Sequence, residues 1–583
     1  MKRLLAINWR RILFPFLSWF GELRNPDTLR ADAIAGVTVA LVLVPQSMAY
    51  AQLASLPPHY GLYASFLPVI VAALLGSSRQ LATGPVAVVS LLTAAALEPI
   101  ASASPEGYLA YALVLAVMVG IIQFTLGALR LGMLVDFLSH PVVIGFTNAA
   151  AIIIATSQIG KIFGVSAERA AHQYETIWNT VLAAWHGTHL ATLGMAMLAL
   201  TIMTVMRHFS PKFPGVLIAV VVTTLLAWLT DFEAAGGAVV GVIPEGLPAL
   251  TVPEFDPRTA LQLVGAALTI ALIGFMEAIA IAKAMAAQTR QRLDPNQELI
   301  GQGLANVTAG FFSGYAVSGS FSRSAVNLAA GAKSGWSSII TGLLMGITLL
   351  ALTPLLYHLP QATLAAVIIM AVVGLINVEP VRHAWKVHRM DAVVAVITFV
   401  LTLILAPELH QSVIVGVLLS LGLFIYRTMR PSIVVMSRHP DGTLRDAQAH
   451  ILQTCPSISM FRFDGPLFFA NTGYFEDKVL ERVAAKPELK FIIVDAISMN
   501  EVDATGEEML HQLTRRLTEL GIIMLFARCK KPLMDIFMRT GFAGPEWAHY
   551  FFRTRADALE YAWEQLGDNH KDDCALYNVS GGN

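Results

Sequence analysis

One arginine stands alone in the stretch VSGSFSRSAVN, residues 317–327. Between Glu298 and Lys333, Arg323 is the only residue of a charged type. Its guanidinium stays protonated, and its planar fork matches two oxygens of an oxyanion. A second isolated charge is Glu277 in LIGFMEAIAIAKAM, with no other charged residue between Arg258 and Lys283. Acids in such apolar surroundings serve as proton relays or sit in fixed ion pairs. Gln46 and Tyr50, in VPQSMAYAQL, are one helical turn apart and share a face. Gln46 offers amide donors to an anion, and Tyr50 offers a wall. A plainer reading stays open for each: Arg323 paired with Glu277 or Glu298, and Gln46 bonded to a neighbouring helix.

The setting of Arg323 has a counterpart earlier in the chain. TGPVAVVSLL, from Thr83, and SGSFSRSAVNL, from Ser318, each run from a hydroxyl residue through glycine into a short apolar helix. Short extended pieces, RQLA and GYAV, precede them. A helix start leaves four backbone N–H groups without intrahelical acceptors. It also carries the positive end of the macrodipole, about half an elementary charge. Two such starts facing each other make an anion site. Thr83, Ser318, Ser320, Ser322 and Ser324 would add hydroxyl donors, and Arg323 falls in the first turn of the second helix.

The composition says what kind of scaffold holds these residues. Of 583 residues, 55% are hydrophobic and 14% charged, against about 25% charged in soluble domains. The mean hydropathy is +0.62. That describes a polytopic membrane protein. Apolar segments fall at approximately 33–51, 59–76, 85–97, 108–129, 141–160, 189–206, 214–230, 261–283, 299–313, 322–331, 336–356, 361–377, 391–406 and 411–427. These are about fourteen, judged against the ~20-residue span of a bilayer. The third and tenth are short, and they are the two half-helices above. Seven segments separate them, an odd number, so two seven-segment halves are inverted relative to each other. Paired interrupted segments of this kind mark a midplane substrate site.

Loop charge sets the orientation. SSRQ, LRLG, RHFSPKF, KAMAAQTRQR, GAKSG, VRHAWKVHR and the exit YRTMR are all basic, whereas EPIASASPEG and the long loop from Asp231 are acidic or neutral. Basic loops stay on the cytoplasmic side, which puts both termini inside the inner (plasma) membrane. Residues 1–30 read as a cytoplasmic amphipathic segment without a cleavage site, and 31–430 as the transport domain. From about Ser437 short apolar runs alternate with charged helical patterns, the mark of an α/β domain. It spans 437–570, followed by a tail, 571–583. SISMFRFD, PLFFAN, KFIIVDAI and IIMLFAR read as strands. TGYFEDKVLERVAA, ATGEEMLHQLTRRLTELG, KPLMDIFMRTGF and RADALEYAWEQL read as helices. Cys455, Cys529 and Cys574 form no C-x-x-C pair, so neither a disulfide framework nor a zinc site is expected.

VPQSMAYAQLASLPPHYGLYASFLPVIVAALLGSSR resembles the signature of the sulfate permease (SulP) family. TGPVAVVS, FMEAIAIAKAMA, NVTAGFFSGYAVSGSFSRSAVN and the α/β tail, which looks like a STAS domain, agree with it. The resemblance implies fourteen segments in a 7+7 inverted repeat, core and gate domains, alternating access and a homodimer. It implies substrate-lining positions at Gln46, Tyr50, Ser322 and Arg323, with the anion bound between the facing starts of segments three and ten, where Thr83, Gly84, Pro85, Ser320 and Phe321 complete the expected substrate-binding set. Glu277 matches the acid linked to proton coupling, and its surroundings differ from those of sodium-coupled relatives, so sodium is the less favoured coupling ion. Asp503 and Thr505, in NEVDATGEEML, match a loop that is phosphorylated in signalling relatives. Ala504 replaces the first hydroxyl there, and Asp503 or Thr505 capping a helix is the plainer reading.

The expectation is a transporter and not an enzyme, with no cofactor beyond the proton. Sulfate symport leads; bicarbonate or C4-dicarboxylate transport, an uncoupled exchanger or channel, and a signalling protein with vestigial transport are the alternatives. The partners are a small anion, the bilayer, a second copy and a cytoplasmic protein on the STAS domain, and not nucleic acid. The chain lacks G-x-x-x-x-G-K-[ST], H-E-x-x-H and a nucleophile elbow. Asn306 and Asn578 lie in sequons that a membrane segment and a cytoplasmic tail would keep unglycosylated. The glycines of GQGLAN, from Gly301, read as close helix packing.

Overall fold

The computed structural model describes residues 14–101, 105–133, 139–166, 173–209, 214–406, 408–567 and 574–577. The first thirteen residues of the N-terminal segment, parts of five connections between helices, most of the tail and Asn578 therefore lie outside the described residues. The chain forms two compact units, Met1–Ser420 and Leu421–Asn583.

In the first unit each of the apolar segments falls on a helix. Among the described residues seven helices are long and apolar enough to cross a membrane, and His59–Leu75, Ala87–Ile100, Gly215–Leu229 and Gln361–Val373 are shorter apolar ones. Four helices build the site: α1 (Pro26–Leu53), α2 (Ala87–Ala101), α3 (Pro257–Thr289) and α4 (Phe321–Ala329). Asn25 caps α1 by accepting from the Asp27 N–H at 2.9 Å, with Pro26 at the first helical position. Pro45 sits inside α1 and has no N–H to give the Leu41 carbonyl.

Two short strands precede the half-helices, β1 (Thr83–Gly84) before α2 and β2 (Ser318–Gly319) before α4. They pair antiparallel, Thr83 with Gly319 and Gly84 with Ser318. Equivalent pieces of the two halves thus meet with opposite chain direction, as an inverted repeat requires. Helices approach closely around them. A Cβ at Gly301 would fall 2.5 Å from the Gly76 Cα, and one at Gly303 2.5 Å from the Phe124 nitrogen. Those contacts leave no room for a side chain, as expected of the glycines in GQGLAN.

Some details depart from the sequence reading. The apolar run 336–356 is not one regular helix: Trp336–Ile347 passes into a π turn, Thr348–Leu352, and a 3-10 turn, Thr353–Leu356. Pro354 cannot supply an α-helical donor there. Two further helices, Gln173–Gly187 and Glu379–Val387, are amphipathic or charged and so left no apolar run.

The second unit holds a six-stranded sheet in the order β4-β3-β5-β6-β7-β8. Its strands are β3 (Ser432–Arg438), β4 (Leu444–Asp446), β5 (Ile458–Asp464), β6 (Phe491–Asp495), β7 (Ile523–Ala527) and β8 (Phe551–Phe552). β5 to β8 run parallel, and β3 and β4 add antiparallel edges. The helices Thr472–Ala485, Ala504–Glu519, Lys531–Thr540 and Arg555–Leu566 all form where their patterns indicate. PLFFAN is not a strand. Leu467 makes only an isolated bridge to Val502, and the Asn471 side chain holds a turn by accepting from the Phe468 N–H at 3.0 Å. The cysteines also depart from expectation, because the fold brings Cys455 and Cys574 together as a disulfide across 119 residues. Cys529 stays free, its thiol pushed up to about 12 by burial.

Candidate functional site

Ser320 begins α4. Its hydroxyl accepts from the Arg323 N–H at 3.5 Å, so Arg323 is held in the first turn. The Arg323 side chain is fully buried. Its Nη1 donates to Gln46 Oε1 at 3.4 Å, while Nε and Nη2 have no hydrogen-bond partner among the described residues. Gly84, at φ 149°, passes over the guanidinium: a Cβ there would stand 3.3 Å from Nη2. Only glycine combines that backbone angle with that closeness.

The two salt bridges envisaged for Arg323 are absent among the described residues. Glu298 spends its carboxylate on the loop before β1, accepting from the Ser77 and Ser78 N–H groups, both at 2.8 Å, the Ser77 hydroxyl at 3.1 Å and Gln302 Nε2 at 3.2 Å. Glu277 makes no contact with Arg323 within ion-pair distance, and its Oε2 is buried without a hydrogen-bond partner. A cation and a carboxylate thus share an apolar region without neutralising each other directly. Unpaired buried charges of this kind are costly and mark a candidate functional site.

A cavity of about 510 Å³ adjoins them. Gln46, Tyr50, Glu277, Ser320, Phe321 and Ser322 line it, together with Ala87 and Val88 from the first turn of α2. Both half-helix starts therefore form its wall, and their first-turn N–H groups lack helical acceptors. Gln46 joins the wall to the buried charge. Its amide oxygen is taken by Arg323, which leaves its NH₂ for the cavity.

Not every predicted residue reaches the cavity. Thr83, Gly84, Pro85 and Arg323 lie behind the wall. The Thr83 hydroxyl accepts from Gln302 Nε2 at 2.8 Å, and Ser324 Oγ accepts from the Ala82 N–H at 2.9 Å. Ser318 Oγ donates to the Gly274 carbonyl at 2.6 Å. These three hydroxyls brace the strands, which leaves Ser320 and Ser322 to face the cavity.

A buried amide network holds the strand pair, and the sequence reading missed it. Asn306 Nδ2 donates to the Val317 carbonyl at 3.0 Å and Oδ1 accepts from the Val317 N–H at 2.7 Å. It also donates to Gln123 Oε1 at 3.0 Å. Read alone, Asn306 was only an unused sequon. Polar residues in an apolar segment at 302 and 306, one turn apart, were the available signal.

The far side of the cavity carries Arg207, Gly215, Gly374 and Leu375. All four stand at helix ends next to basic loops. In the second unit, Asp503 caps the helix Ala504–Glu519: Oδ1 accepts from the Gly506 N–H at 2.7 Å and Oδ2 from the Phe469 N–H at 2.8 Å. Thr505 is exposed in the first turn of that helix.

Comparison with known proteins matches residues 29–398 to the sulfate permease family and residues 450–558 to the STAS domain. The chain is 36% identical over 597 residues to sulfate transporter 4.1, chloroplastic, of Arabidopsis thaliana, covering 98% of this chain and 86% of that protein. It is 34% identical over 510 residues to a Mycobacterium tuberculosis protein named as a probable sulfate transporter, covering 87% and 90%. Among solved structures, the murine Slc26a9 anion transporter in its inward-facing state aligns with a TM-score of 0.87 at 25% identity, over 95% of this chain and 94% of that one. The transmembrane domain of the cyanobacterial bicarbonate transporter BicA aligns at 0.57 with 24% identity, over 68% and 98%.

Proposed function

The chain belongs to the sulfate permease family, and on that premise we propose that it carries sulfate across the inner membrane in symport with protons, by alternating access. The observation that carries the reading is Arg323: fully buried, unpaired by any carboxylate among the described residues, and linked through Gln46 to a cavity walled by two helix starts. Sulfate is favoured over bicarbonate because the relatives above 30% identity are named as sulfate transporters. The likeness to the bicarbonate transporter speaks for the fold.

Charge balance explains the coupling. With the cavity empty, Arg323 and an ionised Glu277 sum to zero. A bound sulfate adds two negative charges, and a proton on Glu277 removes one of them. Net charge at membrane depth is costly, so the loaded core crosses more easily protonated. The empty core returns neutral.

The cavity mouth lies at helix ends beside basic loops, with Arg207 on its rim. The positive-inside rule makes that side cytoplasmic, which supports an inward-open state with both termini inside. A homodimer is part of the same proposal, by family analogy.

The test is uptake into proteoliposomes of purified protein, with labelled sulfate, bicarbonate and succinate offered in turn, with and without an inward proton gradient. Sulfate uptake that rises with the gradient supports the reading. Movement of bicarbonate or succinate instead would overturn the substrate, and indifference to the gradient would leave an exchanger or channel.

A further inference from the structure

A second cavity, of about 1280 Å³, lies away from the transport site, between the N-terminal segment and three basic loops. Arg79 comes from the loop before β1, Arg290 and Arg292 from the loop after α3, and Lys333 from the loop after α4. Two carboxylates share the cleft and both are engaged. Glu22 pairs with Arg79 at 3.0 Å, and Asp294 caps a helix by accepting from the Asn296 and Gln297 N–H groups. Arg290, Arg292 and Lys333 are left without an ion pair among the described residues.

Two further features describe what fits. Among the described residues Gln80, 3% exposed, has Oε1 without a hydrogen-bond partner, and Gln291 Oε1 is in the same state. Both line the cleft and both await a donor. Phe14 and Leu17 form another part of the wall and are half exposed, at 48% and 55%. Trp19 anchors this segment by packing against Ala73 and Ile339 at the ends of two membrane helices.

We propose that the cleft binds the headgroup of an anionic glycerophospholipid of the inner leaflet, one with hydroxyls as well as a phosphate, as in phosphatidylglycerol. The phosphate meets Arg290, Arg292 and Lys333, and headgroup hydroxyls donate to Gln80 and Gln291. Phe14 and Leu17 lie along the acyl chains. A soluble phosphate would leave that apolar wall without a use. Basic pockets at the cytoplasmic ends of membrane helices suit such lipids, and an amphipathic segment beside one lies in the interface. The bound lipid would tie together the loops that lead into β1 and out of α3 and α4, the elements that carry the transport site.

The test is native mass spectrometry of the full chain released from bilayers of equal phosphatidylglycerol and phosphatidylcholine. The expected result is retention of phosphatidylglycerol on the order of thirtyfold or more over phosphatidylcholine, as two to three surface cations provide. Arg290→Gln with Arg292→Gln, both at exposed positions, should cut that preference to the few-fold that Lys333 alone provides. Equal retention of the two lipids by the unaltered chain would overturn the proposal, and that arm does not depend on whether the variant folds. Undiminished preference in a folded variant would overturn it too. Displacement by millimolar glycerol 3-phosphate would also overturn it, by making the cleft a soluble-anion site.

Discussion

Arg323 Nη1 and Gln46 Oε1 stand 3.4 Å apart, joining the first turn of α4 to the interior of α1. The bond is long, near the limit for N–H···O, but it decides which end of the Gln46 amide faces the cavity. The cation thereby acts twice, through its own field and by turning an amide N–H toward the anion.

Gln46→Glu should convert that hydrogen bond into an ion pair and place a carboxylate where the anion binds. Uptake should be abolished. Gln46→Ala should remove one donor, raising KM on the order of tenfold, since a hydrogen bond to a charged group contributes about 1.5–3 kcal/mol. Initial-rate uptake against sulfate concentration separates the two. Gln46→Glu with normal uptake would show that the amide orientation is irrelevant.

Asn306→Ala should leave both backbone groups of Val317 unpaired in the interior. Each buried orphan costs about 1–3 kcal/mol, so the strand pair should loosen and the protein should melt earlier. Asn306→Asp keeps an acceptor for the Val317 N–H but sets a buried carboxylate against the Val317 carbonyl and Gln123 Oε1, and should lose at least as much. Melting of the two variants in detergent checks the order; equal melting of both and of the unaltered chain contradicts the clamp.

Much of this site was legible in the sequence, for identifiable reasons. Arg323 and Glu277 stood out because a lone charge in a long apolar run is rare, and the half-helices because their segments were too short to span. Asn306 and Gln302 did not stand out, since an amide shows its partners only after β1 and β2 have paired. The withdrawal of Thr83, Ser318 and Ser324 into the scaffold has the same origin: serine and threonine spacing carries no direction. The Cys455–Cys574 pairing joins residues far apart in sequence and follows from sheet order, which spacing does not encode. In the second unit, helices with 3.6-residue periodicity were found to within a residue or two, while β3 and the two edge strands, β4 and β8, were missed. Edge strands carry weaker alternation, being solvated on one side.

Glu277→Gln should retain sulfate exchange but lose net uptake driven by an inward proton gradient, because the glutamine is neutral on both sides of the membrane and the empty core then returns with the unbalanced charge of Arg323. Uptake measured at matched and opposed pH checks this. Persisting gradient-driven uptake would move the proton site elsewhere.

Lys486 gives a pH signature in the second unit. Burial, with Arg482 adding to it, lowers its ammonium from the ordinary 10.5 to about 8. Its Nζ meets the Thr454 hydroxyl at 2.8 Å and the Cys455 carbonyl. Between those two values the unfolded chain binds more protons than the folded one, so stability should rise with pH from about 8 to 10.5. Amide exchange of β6, corrected for intrinsic rates, should slow across that window. Lys486→Met should flatten the rise; an unchanged rise would assign it to another group.

The most direct measurement of the central claim is proton-driven sulfate uptake by Arg323→Ala, beside the unaltered chain, in the same liposomes. The account predicts loss of uptake at every sulfate concentration tested, in a variant that still folds, since among the described residues the side chain is hydrogen-bonded only to Gln46. Uptake within a fewfold of the unaltered chain would contradict it, leaving the cavity without the charge that defines it as an anion site.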